Sequence, residues 1–184
     1  MRKLKEEFGE KIDLTWKSFM LVPEDKPGRQ PGDSARGGWL RCKEYEPDAD
    51  FRPYTNDIYP KSSIYALSAA KCAELQGKDF AEKYHNRLMR AIFAESKDIS
   101  DRGVLIELAS EAGLDIERFK IDYDSGSQRE TVMKDYLEAV NQWGITGIPT
   151  AIFVEKYSLV GAQPLEVYRH AIDTLLEMRA KGEV

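Results

Sequence analysis

A chain of 184 residues is long enough for one domain, or for one domain carrying a large insertion. Hydrophobic residues make up 42% and charged residues 32%, which fits a globular protein, and a net charge of −5 gives no electrostatic case for nucleic acid or an anionic membrane. No apolar run approaches the ~20 residues of a membrane span, and Met1 to Phe8 lacks the apolar core of a secretory signal, so a cytoplasmic setting is expected. Arg2 to Phe8 predicts a helix: Leu4 and Phe8 share a face, and Gly9 suits its end. No cap residue precedes it, as though it were the tail of a longer helix. Ile12-Asp13-Leu14-Thr15-Trp16 alternates apolar with polar and continues through Phe19 to Leu21. This predicts a strand with Ile12, Leu14 and Trp16 on one face, ended by Pro23.

Residues 22–61 hold prolines and glycines at a density that predicts an ordered loop with short helical turns at most. Trp39, Leu40, Tyr45, Phe51, Tyr54 and Tyr59 are interleaved with them, which predicts a loop stapled to the core; the other reading is an apolar lip facing a substrate. A helical block follows. Ser62 or Ser63 can cap a helix through Gln76, with Ile64, Leu67, Ala70 and Leu75 inward and Gly77 as its stop. Asp79 can cap the next, whose stripe is Phe80, Tyr84, Leu88, Ile92 and Phe93. Asp101 caps a helix carrying Val104, Leu105, Leu108 and Ala109, ended by Gly113, and Asp115 starts a short one with Ile116 and Phe119. Ser127 starts a longer one with Val132, Tyr136, Ala139, Val140 and Trp143, ended by Gly144.

The stretch from Gly144 to Val154 organises the rest. In Gly144-Ile145-Thr146-Gly147-Ile148-Pro149-Thr150 a proline stands at the mouth of the apolar strand 150–154. Tyr157 to Val160 can pair antiparallel with that strand across a turn near Glu155-Lys156. Pro164 suits the first position of a final helix with the stripe Leu165, Tyr168, Ile172, Leu175 and Leu176.

Three features together resemble the DsbA-like branch of the thioredoxin fold. They are the Pro149 loop, Gly161-Ala162-Gln163-Pro164, and the helical block with Ser62-Ser63-Ile64-Tyr65-Ala66-Leu67 and Lys97-Asp98-Ile99-Ser100-Asp101. The branch includes cytoplasmic disulfide oxidoreductases and the related hydroxychromene-carboxylate isomerases. The resemblance implies an α/β, thioredoxin-like fold with a large all-helical insertion. Residues 1–21 and 144–184 would form the thioredoxin-like domain, 62–143 the insertion and 22–61 the connection. It implies a cis Pro149 lying by the redox cysteines and keeping metal ions from them. The Ile148 backbone would be open to a substrate peptide, Thr146 and Gly147 would shape the approach, and Gln163 would line the same cleft.

One part of the family pattern is missing. A strand and a Cys-x-x-Cys motif precede the first helix in that branch, and neither is in this chain. The chemistry needs a thiolate stabilised at a helix N-terminus and a second thiol to resolve the mixed disulfide. Cys42, in the loop, and Cys72, in mid-helix, lack that spacing and are expected as unpaired thiols, so no catalytic residue is assigned. The missing strand would lie centrally, between 12–21 and 150–154. The two strands could close on each other, a partner chain could supply one, or the natural protein could begin upstream of Met1; the last is the expectation.

No other motif competes. His85 and His170 lack metal-ligand spacing, so no metal is expected, and there is no Gly-x-Gly-x-x-Gly or Walker loop. The acidic clusters at 44–50 and 122–124 are expected in solvated loops. The expectation is a DsbA-like protein thiol–disulfide oxidoreductase, N-terminally truncated and without its catalytic dithiol in this chain. It would need no cofactor, act on protein or peptide thiols and disulfides, and bind neither nucleic acid nor membrane, with a homodimer left open. Two alternatives stand beside it: a glutathione-dependent isomerase or transferase of the related branch, and a redox-inactive thioredoxin-like binding module.

Overall fold

The computed structural model describes residues 2–44, 46, 47 and 49–183; Tyr45 and Asp48, named above singly or within a cluster, lie outside them, as do Met1 and Val184. The elements run α1 (Arg2–Phe8), α2 (Asp33–Arg36), α3 (Ile64–Glu74), α4 (Lys78–Phe93), α5 (Arg102–Glu111), α6 (Ile116–Asp124), α7 (Ser127–Asn141), β1 (Thr150–Phe153), β2 (Tyr157–Val160) and α8 (Leu165–Ala180). They divide into two compact units. One comprises the described residues of Met1–Lys17 and Ala139–Val184, the other Ser18–Glu138. No described helix is long and apolar enough to cross a membrane.

In the first unit, α1 stops at Gly9, which takes the left-handed φ of 56°. The Lys5 ammonium then donates to the carbonyls of Gly9 (3.0 Å) and Ile12 (2.6 Å), answering acceptors left free at the helix end. Leu4 and Phe8 are buried against Tyr168 and Ile172 of α8, with Ala151, Phe153 and Leu159 of the hairpin packed alongside. The hairpin is antiparallel, in register from Thr150↔Val160 to Phe153↔Tyr157. Its three-residue turn, Val154 to Lys156, places Val154 and Glu155 at φ 46° and 54° and is closed by the Lys156 N–H donating to the Phe153 carbonyl (3.0 Å). Pro164 precedes the final helix as its N-cap, one residue before the expected place.

The strand expected over 12–21 does not form. Ile12 is extended (φ −124°, ψ 140°), and the alternation holds in burial, with Ile12 and Leu14 half-buried and Asp13 and Thr15 exposed. No ladder follows, and Trp16 is 61% exposed. Alternation reports only which face is covered; a strand also needs neighbouring backbone to bond. Among the described residues the sheet holds β1 and β2 alone.

The second unit has its own core, built where α3, α4, α5 and α6 meet around Cys72, Tyr84, Leu88, Leu105, Leu108 and Phe119. Tyr84 is fully buried, and its hydroxyl donates to the Leu105 carbonyl at 3.0 Å. Asp101 and Asp115 cap α5 and α6, accepting from the N–H groups of Val104 (2.9 Å) and Arg118 (3.0 Å). The loop is stapled to the core. Trp39 donates to the Arg52 carbonyl at 2.6 Å and meets Phe93 edge-on at 4.8 Å, while Tyr54 meets Tyr59 at 4.8 Å.

Four local expectations are corrected here. The buried face of α3 is Ser68, Ala69, Cys72 and Ala73, while Leu75 is 47% exposed; small side chains, not the large ones, allow the close approach of α4 and α6. Asp79 is not a cap, because α4 begins one residue earlier behind Gly77. Val140 is exposed, and α7 buries the charged Asp135 instead. Asp122 and Asp124 lie in the last turn of α6, not in a loop, and pair with Arg118 (2.8 Å) and Arg102 (2.5 Å). Those cations neutralise carboxylates that would otherwise oppose the negative end of the helix.

Candidate functional site

The Pro149 loop is built by three backbone devices. Helix α7 is closed by Gly144 at φ 61° and by a bond from the Ile145 N–H to the Ala139 carbonyl (2.9 Å), six positions back. The Thr150 hydroxyl reaches back to the Gly147 carbonyl (2.9 Å). The Gly161 N–H, just beyond β2, donates to the Pro149 carbonyl (2.8 Å). Between these anchors the Ile148–Pro149 bond is cis.

What this leaves open is specific. Ile148 is 48% exposed, and among the described residues neither its N–H nor its C=O has a hydrogen-bond partner. Thr146 is exposed, and Gly147 is partly covered by the Thr150 bond. Gln163 is exposed, and its amide is committed to the Val160 carbonyl at 3.0 Å. Thr146, Gly147, Ile148 and Pro149 therefore form one continuous surface. Gly161, which bonds Pro149 and whose carbonyl takes the Tyr168 hydroxyl at 3.4 Å, lies next to this surface, while the amide of Gln163 is turned to Val160. Thr150 and Gly161 hold this loop in shape; both stand in the sequence motifs, but their bonding roles are not read there, and a hydroxyl residue next to a turn, able to bond its own backbone, is the available signal for Thr150.

The two cysteines are both free thiols. Cys42 is exposed, whereas Cys72 is fully buried and burial pushes its pKa from 9.0 up to about 12. A thiolate is the nucleophile, so Cys72 is inert in the folded protein. A thiol reagent at pH 8 should modify Cys42 alone, with Cys72 reacting at least about a thousandfold more slowly until denaturant is added. Two equivalents reacting at similar rates would refute the burial. The sign for stability follows. The raised thiol pKa contributes fully below the unfolded value near 9.0 and is lost as pH rises from there toward about 12, at most about 1.4 kcal/mol per pH unit. His85 and His170 are both exposed, and no metal-holding group of three or more ligating side chains exists among the described residues.

A family model described as thioredoxin matches residues 1–170. The chain belongs to this thioredoxin family. Among curated relatives it is 30% identical over 129 residues to the ClpXP adapter protein SpxH of Bacillus cereus, a match over 66% of this chain and 43% of that protein. The chain thus spans less than half the length of that relative. Among solved structures it is similar to a probable DsbA oxidoreductase, SCO1869 from Streptomyces coelicolor, with a TM-score of 0.67 and 25% identity over 91% of this chain and 75% of the other. It is also similar to the cytosolic disulfide reductase DsbM from Pseudomonas aeruginosa, with a TM-score of 0.58 and 24% identity over 76% of this chain and 73% of the other. The fold is thioredoxin-like and DsbA-like. Within the thioredoxin family frame, the hairpin β1–β2, helix α8 and the cis-proline loop form one unit, and the helices of 18–138 the other.

Proposed function

We propose that this chain carries the polypeptide-binding half of a DsbA-like, cytoplasmic thiol–disulfide oxidoreductase. The observation behind this reading is the backbone of Ile148, exposed and unbonded beside a cis proline. An extended peptide can lay its own N–H and C=O groups against that residue, so main-chain bonds give affinity while Thr146 and Gly147 set the approach. The dithiol of the reaction is not assigned to any residue here, because Cys72 is buried and Cys42 lies in the 3-10 segment Gly38–Glu44 without a second thiol at the required spacing.

Peptide affinity tests the binding step. A labelled, unfolded, cysteine-containing peptide should bind the chain, and Ile148→Pro, which deletes the donor, should weaken binding about three- to tenfold. Unchanged affinity would exclude this backbone as the docking point. Turnover tests the chemistry: the protein isolated from its own cells should reduce insulin disulfides.

A second reading is favoured by the SpxH match: the same loop captures a protein without exchanging disulfides, as an adapter would. Peptide binding weakened by Ile148→Pro together with no insulin turnover would select it.

A further inference from the structure

A cavity of about 660 Å³ opens inside the unit 18–138, away from the Pro149 loop in the chain. Its volume falls in the range of small-molecule sites, roughly 300–1,000 Å³. Basic side chains and tyrosines line it, and acids do too, so the pairing of each charge decides what it can hold.

Each lining carboxylate accepts a hydrogen bond, and Asp124 and Asp57 meet cations, whereas Asp98 and Asp101 are paired with no cation among the described residues. Asp124 takes both arms of Arg102 (2.8 and 2.5 Å), and Asp57 takes Arg36 at 3.3 Å. Asp101 caps α5, and Asp98 accepts from both the N–H and the hydroxyl of Ser100 at 2.9 and 2.6 Å. Asp25, at the edge, takes the Tyr65 hydroxyl (2.7 Å) and the Lys61 ammonium (3.3 Å). Two guanidiniums are left. Arg29 lies over the Tyr59 ring at 4.6 Å and gives one N–H to the Pro60 carbonyl (2.9 Å). Arg129 lies over the Tyr65 ring at 5.5 Å. Neither has a carboxylate partner among the described residues. Stacking fixes the plane of each guanidinium and leaves donors free at its edge.

A second observation points the same way. Tyr123 lines this cavity and is 6% exposed, and its buried hydroxyl, close to Arg129, makes no hydrogen bond of good geometry among the described residues. A buried hydroxyl without a partner is unfavourable, and native structures rarely keep one without a reason. Burial raises the Tyr123 pKa, and the Arg129 guanidinium, by its charge and its close polar approach to the hydroxyl, pulls it back part of the way.

We propose that this cavity binds a small-molecule oxyanion, a carboxylate or a phosphate, between Arg29 and Arg129, with the Tyr123 hydroxyl donating to the same ligand. Paired N–H donors in a fixed fork match the two oxygens of either group. The site is independent of peptide capture at Ile148.

Calorimetric titration of the whole chain tests this, with inorganic phosphate in one arm and succinate in the other, at constant ionic strength set by chloride. Saturable binding of at least one of them below about 10 mM is expected. Arg129→Gln and Arg29→Gln should each weaken it roughly tenfold or more, and Tyr123→Phe several-fold. Tyr123→Phe removes an unpaired polar atom, so it should leave the thermal midpoint unchanged or higher, which separates lost binding from lost folding. Saturation by phosphate alone would identify a phosphate ligand, and by succinate alone a carboxylate. No saturation in either arm, or binding unchanged in Arg129→Gln and Tyr123→Phe, overturns the proposal.

Discussion

Replacing Phe119 with alanine should lower the free energy of unfolding by about 3–5 kcal/mol, read as a shift of the urea midpoint at constant slope. Phe119 is fully buried in the core of 18–138. Its ring meets Tyr84 edge-on at 5.5 Å and lies parallel to Tyr123 at 6.1 Å. Alanine removes the buried ring area and both aromatic contacts, and four packed helices cannot collapse into the space without moving together. Since whole domains are stable by only about 5–15 kcal/mol, one such change approaches the total. Tyr84→Phe is the calibrating variant. It keeps the ring and removes only the bond to the Leu105 carbonyl, so it should lower stability by about 1 kcal/mol. A loss below about 1.5 kcal/mol for Phe119→Ala would mean that the core is loosely packed there.

Asp135→Ala should also be damaging, by about 2–4 kcal/mol, through a lost hydrogen bond and a lost charge pair. Asp135 is 6% exposed, accepts the Ser18 N–H at 2.9 Å and faces the Lys71 ammonium at 3.4 Å. The Lys71 side chain is itself only 11% exposed. Lys71 also meets Glu74 at 3.1 Å, so alanine would strip a mostly buried ammonium of one of its two carboxylates and leave the buried Ser18 N–H without its acceptor. Asp135→Asn keeps the acceptor and loses the charge, so it should fall between wild type and alanine. Adding Lys71→Met to Asp135→Asn should recover part of the loss, because it removes a mostly buried cation left with Glu74 alone. Chemical denaturation of the three variants measures this order. If the double variant were no better than Asp135→Asn, the ion pair would have no net role.

Helix boundaries were the most legible part of the sequence, because their signals are local. Asp101 and Asp115 each stand three residues before the N–H they accept, and Gly9, Gly113 and Gly144 each take a positive φ at the end of their helix. Facing was harder to read. The large residues of α3 suggested one stripe, but Ala69, Cys72 and Ala73 pack inward because neighbours come close, and closeness is not written within the helix. The burial of Asp135 goes with a bond to Ser18, 117 positions away, which no local pattern shows. The segment 12–21 carried the alternation of a strand without the neighbour that would make it one. The Pro149 loop was legible as a contiguous motif. The roles of Thr150 and Gly161 depend on hairpin register, and the cavity, assembled from Arg29, Tyr65, Tyr123 and Arg129, left no mark in the linear order.

The division of the chain also sets an order of events during synthesis. Residues 18–138 are contiguous, so their helices can leave the ribosome and settle their core while the remainder is still being made. The other unit is split in the sequence. Leu4 and Phe8 of α1 await Tyr168 and Ile172, and Glu7 awaits Arg169, 162 positions later. At roughly 5–20 residues per second, helix α1 stays uncovered by α8 for many seconds. That interval is an opening for chaperones that bind short apolar segments, and Leu4 and Phe8 are the pair they would find.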